Sequence, residues 1–190
     1  MAAAAGLPMV GDRKDPSRTT TYGVGQLIRH AVEGGCREIL LGLGGSCTND
    51  GGCGCAAALG TQFYDAAGTP FVPVGGELSR ITRMDVSGTR ALLRDVQITC
   101  ICDVDNPLYG PSGAAYVFAP QKGADAAMVE RLDGQLQALS AAVERDLGVD
   151  ISRMPGAGAA GGFGGGAVAF LQAQLRPGIE VVLDTVDFDA

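Results

Sequence analysis

Apolar and polar positions along the chain predict strands and helices that follow one another. Four short runs are apolar almost throughout, which is typical of strands buried on both faces of a parallel or mixed sheet under helices. These runs are 38–43, 96–104, 114–119 and 179–183. Strands that alternate with helices predict the α/β class. Because no linker divides the chain, we expect residues 1–190 to form a single α/β domain.

Two segments carry apolar residues at spacings of three and four, the pattern of an amphipathic helix. One covers 22–33 and the longer one covers about 126–147. Asp125 can cap the first turn of the longer helix, and Gly148 is a typical C-terminal glycine. Both ends of this helix are therefore predicted as well as its existence.

Shorter elements are less sharply marked. A helix of small residues is expected to begin near Gly52, and another is expected from about 165 to 174, before Pro177. The segment 64–77 is rich in turn residues and predicts turns around one short extended piece.

Glycine is unusually abundant in this chain. It accounts for 30 of the 190 residues, roughly twice the average usage. The glycines cluster at 42–54, 74–76 and 156–166. Glycine lets the backbone approach a neighbour closely, so these clusters indicate contact with a ligand or with another chain segment.

Charge and hydropathy argue against several classes of partner. The net charge is −7 and the chain has only two lysines, Lys14 and Lys122, so its surface would repel a nucleic-acid backbone. No apolar stretch approaches the roughly 18 residues of a membrane helix. The apolar start is short and lacks the basic residues of a signal peptide. We therefore expect a cytoplasmic protein that binds neither nucleic acid nor a membrane.

The first candidate site is the polar, glycine-rich loop between the first predicted strand and the helix near Gly52. A helix N-terminus offers free N–H groups and a partial positive charge, which suit a phosphate or a carboxylate. Asp50 can cap this helix or hold a metal, and a tight turn with Asp50 as its cap is the alternative interpretation. The candidates for anion binding are Gly44, Gly45, Ser46, Thr48 and Asn49.

The second candidate site follows the second predicted strand, where Asp103, Asp105 and Asn106 precede Pro107. Ligands of open α/β sheets bind beyond the carboxyl ends of the strands. Two carboxylates and an amide at such an edge could bind Mg²⁺ or take the proton from an attacking hydroxyl. A turn built around Pro107 is the alternative.

The third candidate site is the stretch 155–164, which again leads into a helix. It could be a second anion site or a nucleotide cradle, and a hinge or a close helix contact is the alternative. Lys122 could contact a phosphate, although a lone lysine is more often a solvated surface residue. The candidate glycines of this stretch are Gly156, Gly158, Gly161 and Gly162.

The chain resembles the central part of the bacterial glycerate kinase family in four motifs that occur in the same order. The motifs are GGSCTNDGG at 44–52, CDVDNPL at 102–108, QKGA at 121–124 and PGAGAAGGFG at 155–164. The likeness extends over nearly the whole chain, and Cys47 stands where the family usually has alanine.

The resemblance implies an enzyme that phosphorylates D-glycerate with ATP and Mg²⁺, and we expect 2-phosphoglycerate rather than 3-phosphoglycerate. Family members have two α/β domains with the active site in the cleft between them. The chain would be the middle domain without its Rossmann-like partner domain, so we expect it to be nearly inactive by itself. In the whole enzyme we assign Asp50 and Asp105 to catalysis and Asp103 to the metal.

A sensor that binds small organic acids is the alternative function. The same loops would hold an anion without transferring phosphate to it. A nucleotide effect that depends on metal would favour the kinase, whereas binding of glycerate alone would favour the sensor.

Overall fold

The computed structural model describes residues 1–186, in which helices pack around two three-stranded sheets. The strands are β1 (Glu38–Gly42), β2 (Gln62–Tyr64), β3 (Pro70–Phe71), β4 (Arg83–Asp85), β5 (Gln97–Ile101) and β6 (Gln174–Arg176). The helices are α1 (Ala2–Ala5), α2 (Leu7–Val10), α3 (Tyr22–Glu33), α4 (Cys53–Leu59), α5 (Ser87–Leu92), α6 (Ala114–Phe118), α7 (Ala126–Leu147), α8 (Ala159–Leu171) and α9 (Gly178–Thr185).

The main sheet is parallel and has the strand order β1-β5-β6. Its register places Leu41 beside Cys100, and Cys100 beside Leu175. Helix α8 packs on β5 and β6, while α4 joins α8 to α3. The predicted α/β class is confirmed, and the carboxyl ends of the three strands lie along one edge of the sheet.

The second sheet is small and antiparallel, in the order β3-β2-β4. The predicted extended piece within 64–77 corresponds to β3, and the structure adds β2 and β4 beside it. Phe63 of β2 packs edge-to-face on Phe170 of α8, with ring centroids 5.7 Å apart. Both rings belong to the main hydrophobic core, so the small sheet covers the same core as the parallel one.

Helices α3 and α7 have the predicted bounds. The Asp125 carboxylate accepts a hydrogen bond from the Met128 N–H over 2.8 Å, which is the expected cap. Gly148 has φ 70°, a left-handed conformation that glycine adopts without strain and that ends the helix.

The run 114–119 was predicted as a buried strand, and this is wrong because it lies in helix α6. Ala114 and Ala115 are buried while Tyr116 and Val117 are exposed, a pattern of helical rather than strand period. A short apolar run does not distinguish a buried strand from a turn of buried helix. The pattern of buried and exposed residues that distinguishes the helix from a strand is therefore visible only in the structure.

The run 179–183 was also predicted as a strand and lies instead in α9. Pro177 is extended and starts this helix, and the Asp103 carboxylate accepts the Gly178 N–H over 2.7 Å. The third strand of the sheet is β6, which lies just before Pro177 and is only three residues long. That length is too short for its alternation to be recognised in the sequence.

The helix expected at about 165–174 is α8, which begins earlier and ends at Leu171. Ala160, Gly161 and Gly162 have positive φ angles, so they form a left-handed turn before the regular part of the helix. Within residues 1–186, no helix has both the length and the apolar character that a membrane crossing requires.

Candidate functional site

A cavity of about 330 Å³ opens at the carboxyl ends of β1 and β5, the edge where ligands of parallel α/β sheets bind. Leu43 follows β1 and Cys102 follows β5, so each strand delivers its next residues to the cavity wall. The lining residues are Leu7, Leu43, Gly44, Gly45, Ser46, Ile101, Cys102, Asp103, Val104, Phe118, Gln121, Lys122, Ala159 and Ala160.

The first glycine-rich loop forms one wall of this cavity. Gly44, Gly45 and Ser46 line it, as the sequence predicted for an anion-binding loop. Gly45 has φ 77°, and its carbonyl accepts the Leu7 N–H over 2.9 Å. Helix α2 therefore holds the loop through Leu7, which also lines the cavity.

Asp50 lies beneath the wall and not in the cavity, with 0% of its surface exposed. Its carboxylate accepts hydrogen bonds from the Thr21 N–H at 2.7 Å, the Thr21 hydroxyl at 2.8 Å, and the N–H groups of Gly52 and Gly54 at 3.2 Å each. Burial raises the pKa of Asp50, and these donors oppose the shift. The contacts correspond to the helix-cap alternative, and the catalytic role assigned to Asp50 stays a prediction.

Thr48 and Asn49 are also fully buried. In the part of the chain that the structure describes, the Thr48 hydroxyl and both polar atoms of the Asn49 side chain have no hydrogen-bond partner. Neither residue lines the cavity. The predicted donors of this loop are thus divided, with Ser46 at the cavity surface and Thr48 and Asn49 behind it.

Lys122 is far more buried than a lone lysine is expected to be. Only 2% of its surface is exposed, although a lone lysine was expected to be solvated. Its ammonium group donates a hydrogen bond to the Thr48 carbonyl over 2.7 Å, and the residue lines the cavity. Burial lowers the pKa of Lys122 to about 8, while the Cys47 thiol and the Asp50 carboxylate act in the opposite direction.

Asp103 lines the cavity, and one of its oxygens is engaged by the Gly178 N–H. Asp105 is exposed and lies in an adjoining, more open hollow that shares Asp103 with the cavity. Asn106 donates its side-chain N–H to the Ser112 carbonyl over 2.8 Å, which supports the turn interpretation for this residue. The two carboxylates are therefore brought to one edge, whereas the amide is turned into the loop.

Among residues 1–186 there is no group of three histidine, cysteine or acidic side chains that could hold a metal by itself. Magnesium often takes only one or two carboxylates and completes its shell with water and substrate phosphates. The carboxylates of Asp103 and Asp105, hard oxygen donors at an exposed edge, fit that role.

The glycines of 155–164 pack closely against other chain segments, as in the close-contact alternative, and their role in anion binding stays a prediction. A side chain at Gly158 would overlap the Pro107 carbonyl, and one at Gly161 would overlap the Thr48 carbonyl. Gly156 and Gly162 also face other side chains, the first against Cys102 and the second against Leu136. Gly156 also lines a surface depression, the hollow beside Asp105.

Several lining residues were not among the predicted site residues. Ala159 and Ala160 form the wall beside the glycine-rich turn, and Ala160 holds a left-handed φ of 53° that is unusual for alanine. Phe118 and Gln121 line the cavity next to Lys122. Both lie close to Lys122 in the sequence, which is the signal that could have identified them. For Phe118 the strand assignment of 114–119 obscured this signal.

The sequence profile described as the glycerate kinase family matches residues 1–190. The chain belongs to the glycerate kinase family. It is 46% identical over 189 residues to a glycerate kinase of Halalkalibacterium halodurans and 45% identical over 190 residues to a glycerate 2-kinase of Escherichia coli K12. These alignments cover 99% and 100% of this chain and 50% of each relative.

A solved structure has the same fold as this chain of the glycerate kinase family. A Salmonella typhimurium LT2 protein described as glycerate kinase 2 superposes with a TM-score of 0.93 at 47% identity. The match covers 96% of this chain and 49% of that one. The chain thus spans about half the length of the relatives that it matches.

Proposed function

We propose that this chain is the middle domain of a two-domain glycerate kinase, which transfers phosphate from ATP to D-glycerate and forms 2-phosphoglycerate in the cytoplasm. The observation that carries the proposal is the match of the family profile to every residue of the chain. The half-length alignments support a second domain as the partner of this one, and the family resemblance implies that it is Rossmann-like. Relatives bearing the name glycerate kinase favour an enzyme over the organic-acid sensor.

The cavity supports this proposal through its position and its chemistry. It lies at the carboxyl edge of a parallel sheet, and Gly44, Gly45, Ser46 and Lys122 are among its lining residues. Phosphoryl transfer depends mainly on positioning and on stabilising charge. These groups position an anionic substrate, and the partner domain provides the opposite wall of the cleft.

The exposed carboxylates are assigned to the reacting end of the substrate. Asp105 accepts the proton of the attacking hydroxyl, because its exposed carboxylate lies beside the cavity and not beneath it. Asp103, shared by the cavity and the hollow, is the residue that would hold Mg²⁺. When bound, the metal neutralises charge on the transferring phosphate. Asp50 holds the loop through Thr21, Gly52 and Gly54.

A coupled assay of ADP release tests the proposal. The chain of 190 residues is compared with the full-length Escherichia coli glycerate 2-kinase, using D-glycerate, ATP and Mg²⁺. We expect nearly no turnover by the chain alone, because one wall of the cleft is absent. We also expect turnover once the chain is extended by the flanking residues of its own reading frame. An extended protein that leaves D-glycerate unphosphorylated would refute the proposal, and ³¹P NMR of the product would identify the phosphorylated hydroxyl.

A further inference from the structure

We propose that the cavity binds the carboxylate of the hydroxy acid at the Lys122 ammonium, and that the triphosphate of the nucleotide binds outside it. This inference rests on the proposed function, because it divides the two substrates of that reaction between two places. It follows from the charges in the cavity, from the burial of Lys122 and from the cavity's size.

The charges favour a monoanion. Of the cavity's lining residues only Lys122 is cationic, and only Asp103 is anionic. A carboxylate brings one negative charge, which Lys122 balances. A nucleotide triphosphate brings three to four negative charges, which the single charge of Lys122 does not balance. In P-loop enzymes such a group is held by several backbone N–H groups, a lysine and a metal together.

The burial of Lys122 makes it a directed donor and not a mobile surface charge. Its ammonium has three N–H donors, and the Thr48 carbonyl takes one of them. Apolar neighbours in the cavity wall include Leu43, Ile101 and Phe118. A charged hydrogen bond in such surroundings is stronger than one at the surface, so a carboxylate here has both a partner and a fixed position.

The size of the cavity agrees with a small ligand. Its volume of about 330 Å³ lies at the lower end of the range of ligand sites, roughly 300 to 1,000 Å³. Ser46 and Gln121 provide neutral polar groups for the hydroxyls of a hydroxy acid. The adjoining hollow beside Asp105 remains open to solvent, so the phosphate donor has access to the reacting hydroxyl from that side.

The two lysines of the chain allow a direct test by NMR. Lysine labelled with ¹³C gives two side-chain signals, and the Lys14→Met variant assigns them, because Lys14 is exposed. The chain is titrated at pH 8 with D-glycerate, with glyceramide, with inorganic phosphate and with MgATP. Glyceramide keeps both hydroxyls and replaces the carboxylate by a neutral amide.

We expect D-glycerate to shift the Lys122 signal and to leave the Lys14 signal unchanged. Glyceramide, phosphate and MgATP should each act at least about tenfold more weakly on Lys122, a difference on the order of 1.4 kcal/mol. The inference would be overturned if D-glycerate left the Lys122 signal unshifted. It would also be overturned if phosphate or MgATP shifted this signal at a concentration equal to or lower than that of D-glycerate. The wild-type chain suffices for this test, so it does not depend on whether a Lys122 variant folds.

This outcome is separable from that of the proposed function. If the extended protein phosphorylates D-glycerate while MgATP is what shifts Lys122, the kinase proposal stands and the division of substrates is wrong. If D-glycerate shifts Lys122 but the extended protein transfers no phosphate, the carboxylate site stands and the kinase proposal is wrong.

Discussion

The Lys122 ammonium donates a hydrogen bond over 2.7 Å to the carbonyl of Thr48, a residue 74 positions earlier in the chain. This contact joins the segment before α7 to the loop that follows β1. It also places a cation in the interior, where the Cys47 thiol and the Asp50 carboxylate are the titratable groups that act on it, and Asp103 shares its cavity. Burying a charge lowers stability, so this lysine is expected to serve binding at the expense of folding.

Stability should therefore depend on pH through Lys122. Its pKa is about 8 in the folded chain and 10.5 in the reference state, so the unfolded chain binds more protons between these values and stability rises with pH there. Below about pH 8 Lys122 is charged in the folded chain, so the full free-energy cost of burying its ammonium lowers stability. We expect Lys122→Met to have a higher free energy of unfolding than wild type at pH 7. This difference should narrow by on the order of 2 kcal/mol towards pH 10.

Urea denaturation at several pH values measures this difference. Lys14→Met is the matched control, because Lys14 is exposed and should leave the pH profile of wild type unchanged. A difference between Lys122→Met and wild type that stays constant from pH 7 to pH 10 would contradict a buried lysine of lowered pKa.

Asp50 should act on stability through the loop that it holds. Asp50→Asn replaces one acceptor oxygen by an N–H₂ donor that faces donors from Thr21, Gly52 and Gly54. We expect a loss of at least about 2 kcal/mol in the free energy of unfolding. Asp105→Asn at an exposed position should stay within about 0.5 kcal/mol. Equal effects of the two substitutions in urea would argue against the assigned role of Asp50.

We propose that Asp105 has the kinetic role. In the chain extended to both domains, Asp105→Asn should lower kcat at least about tenfold, equivalent to about 1.4 kcal/mol of transition-state stabilisation. The KM for ATP should change little, because the carboxylate acts on the hydroxyl of the other substrate. Unchanged kcat at saturating substrates would remove Asp105 from the catalytic site.

The turn at 160–162 should tolerate no side chain at Gly161. A Cβ there overlaps the Thr48 carbonyl, and φ is 71°, so Gly161→Ala should cost more than about 2 kcal/mol. Gly134 is the matched control, since it lies in α7 with open space around it. Gly134→Ala should raise stability by about 1 kcal/mol. Thermal unfolding of both variants measures the contrast, and a neutral Gly161→Ala would show that the turn is not tightly packed.

The sequence predicted those elements whose signals are local. Helix α7 has a long periodic face, an aspartate cap and a terminal glycine, so its bounds were predictable. Helices α6 and α9 were assigned as strands because a short, mostly apolar run looks alike in either element. The strand β6 has a single apolar residue, Leu175, and only its pairing with β5 identifies it.

The candidate site was predictable to a similar extent. The loop residues Gly44, Gly45 and Ser46 were predicted from their place between a strand and a helix, and they do line the cavity. The sequence could not separate them from Asn49 and Asp50, because burial depends on packing against distant segments. The burial of Lys122 depends on a contact with Thr48 that no local pattern encodes.

We propose that the cavity beside Lys122 binds the anionic hydroxy acid, and calorimetric titration of the chain with D-glycerate measures this binding. We expect one binding site in wild type and in Lys14→Met, and binding at least about tenfold weaker in Lys122→Met at pH 7. Circular dichroism confirms that each variant is folded before the titration. Equal affinity of Lys122→Met and wild type, or no binding by wild type, would contradict the claim.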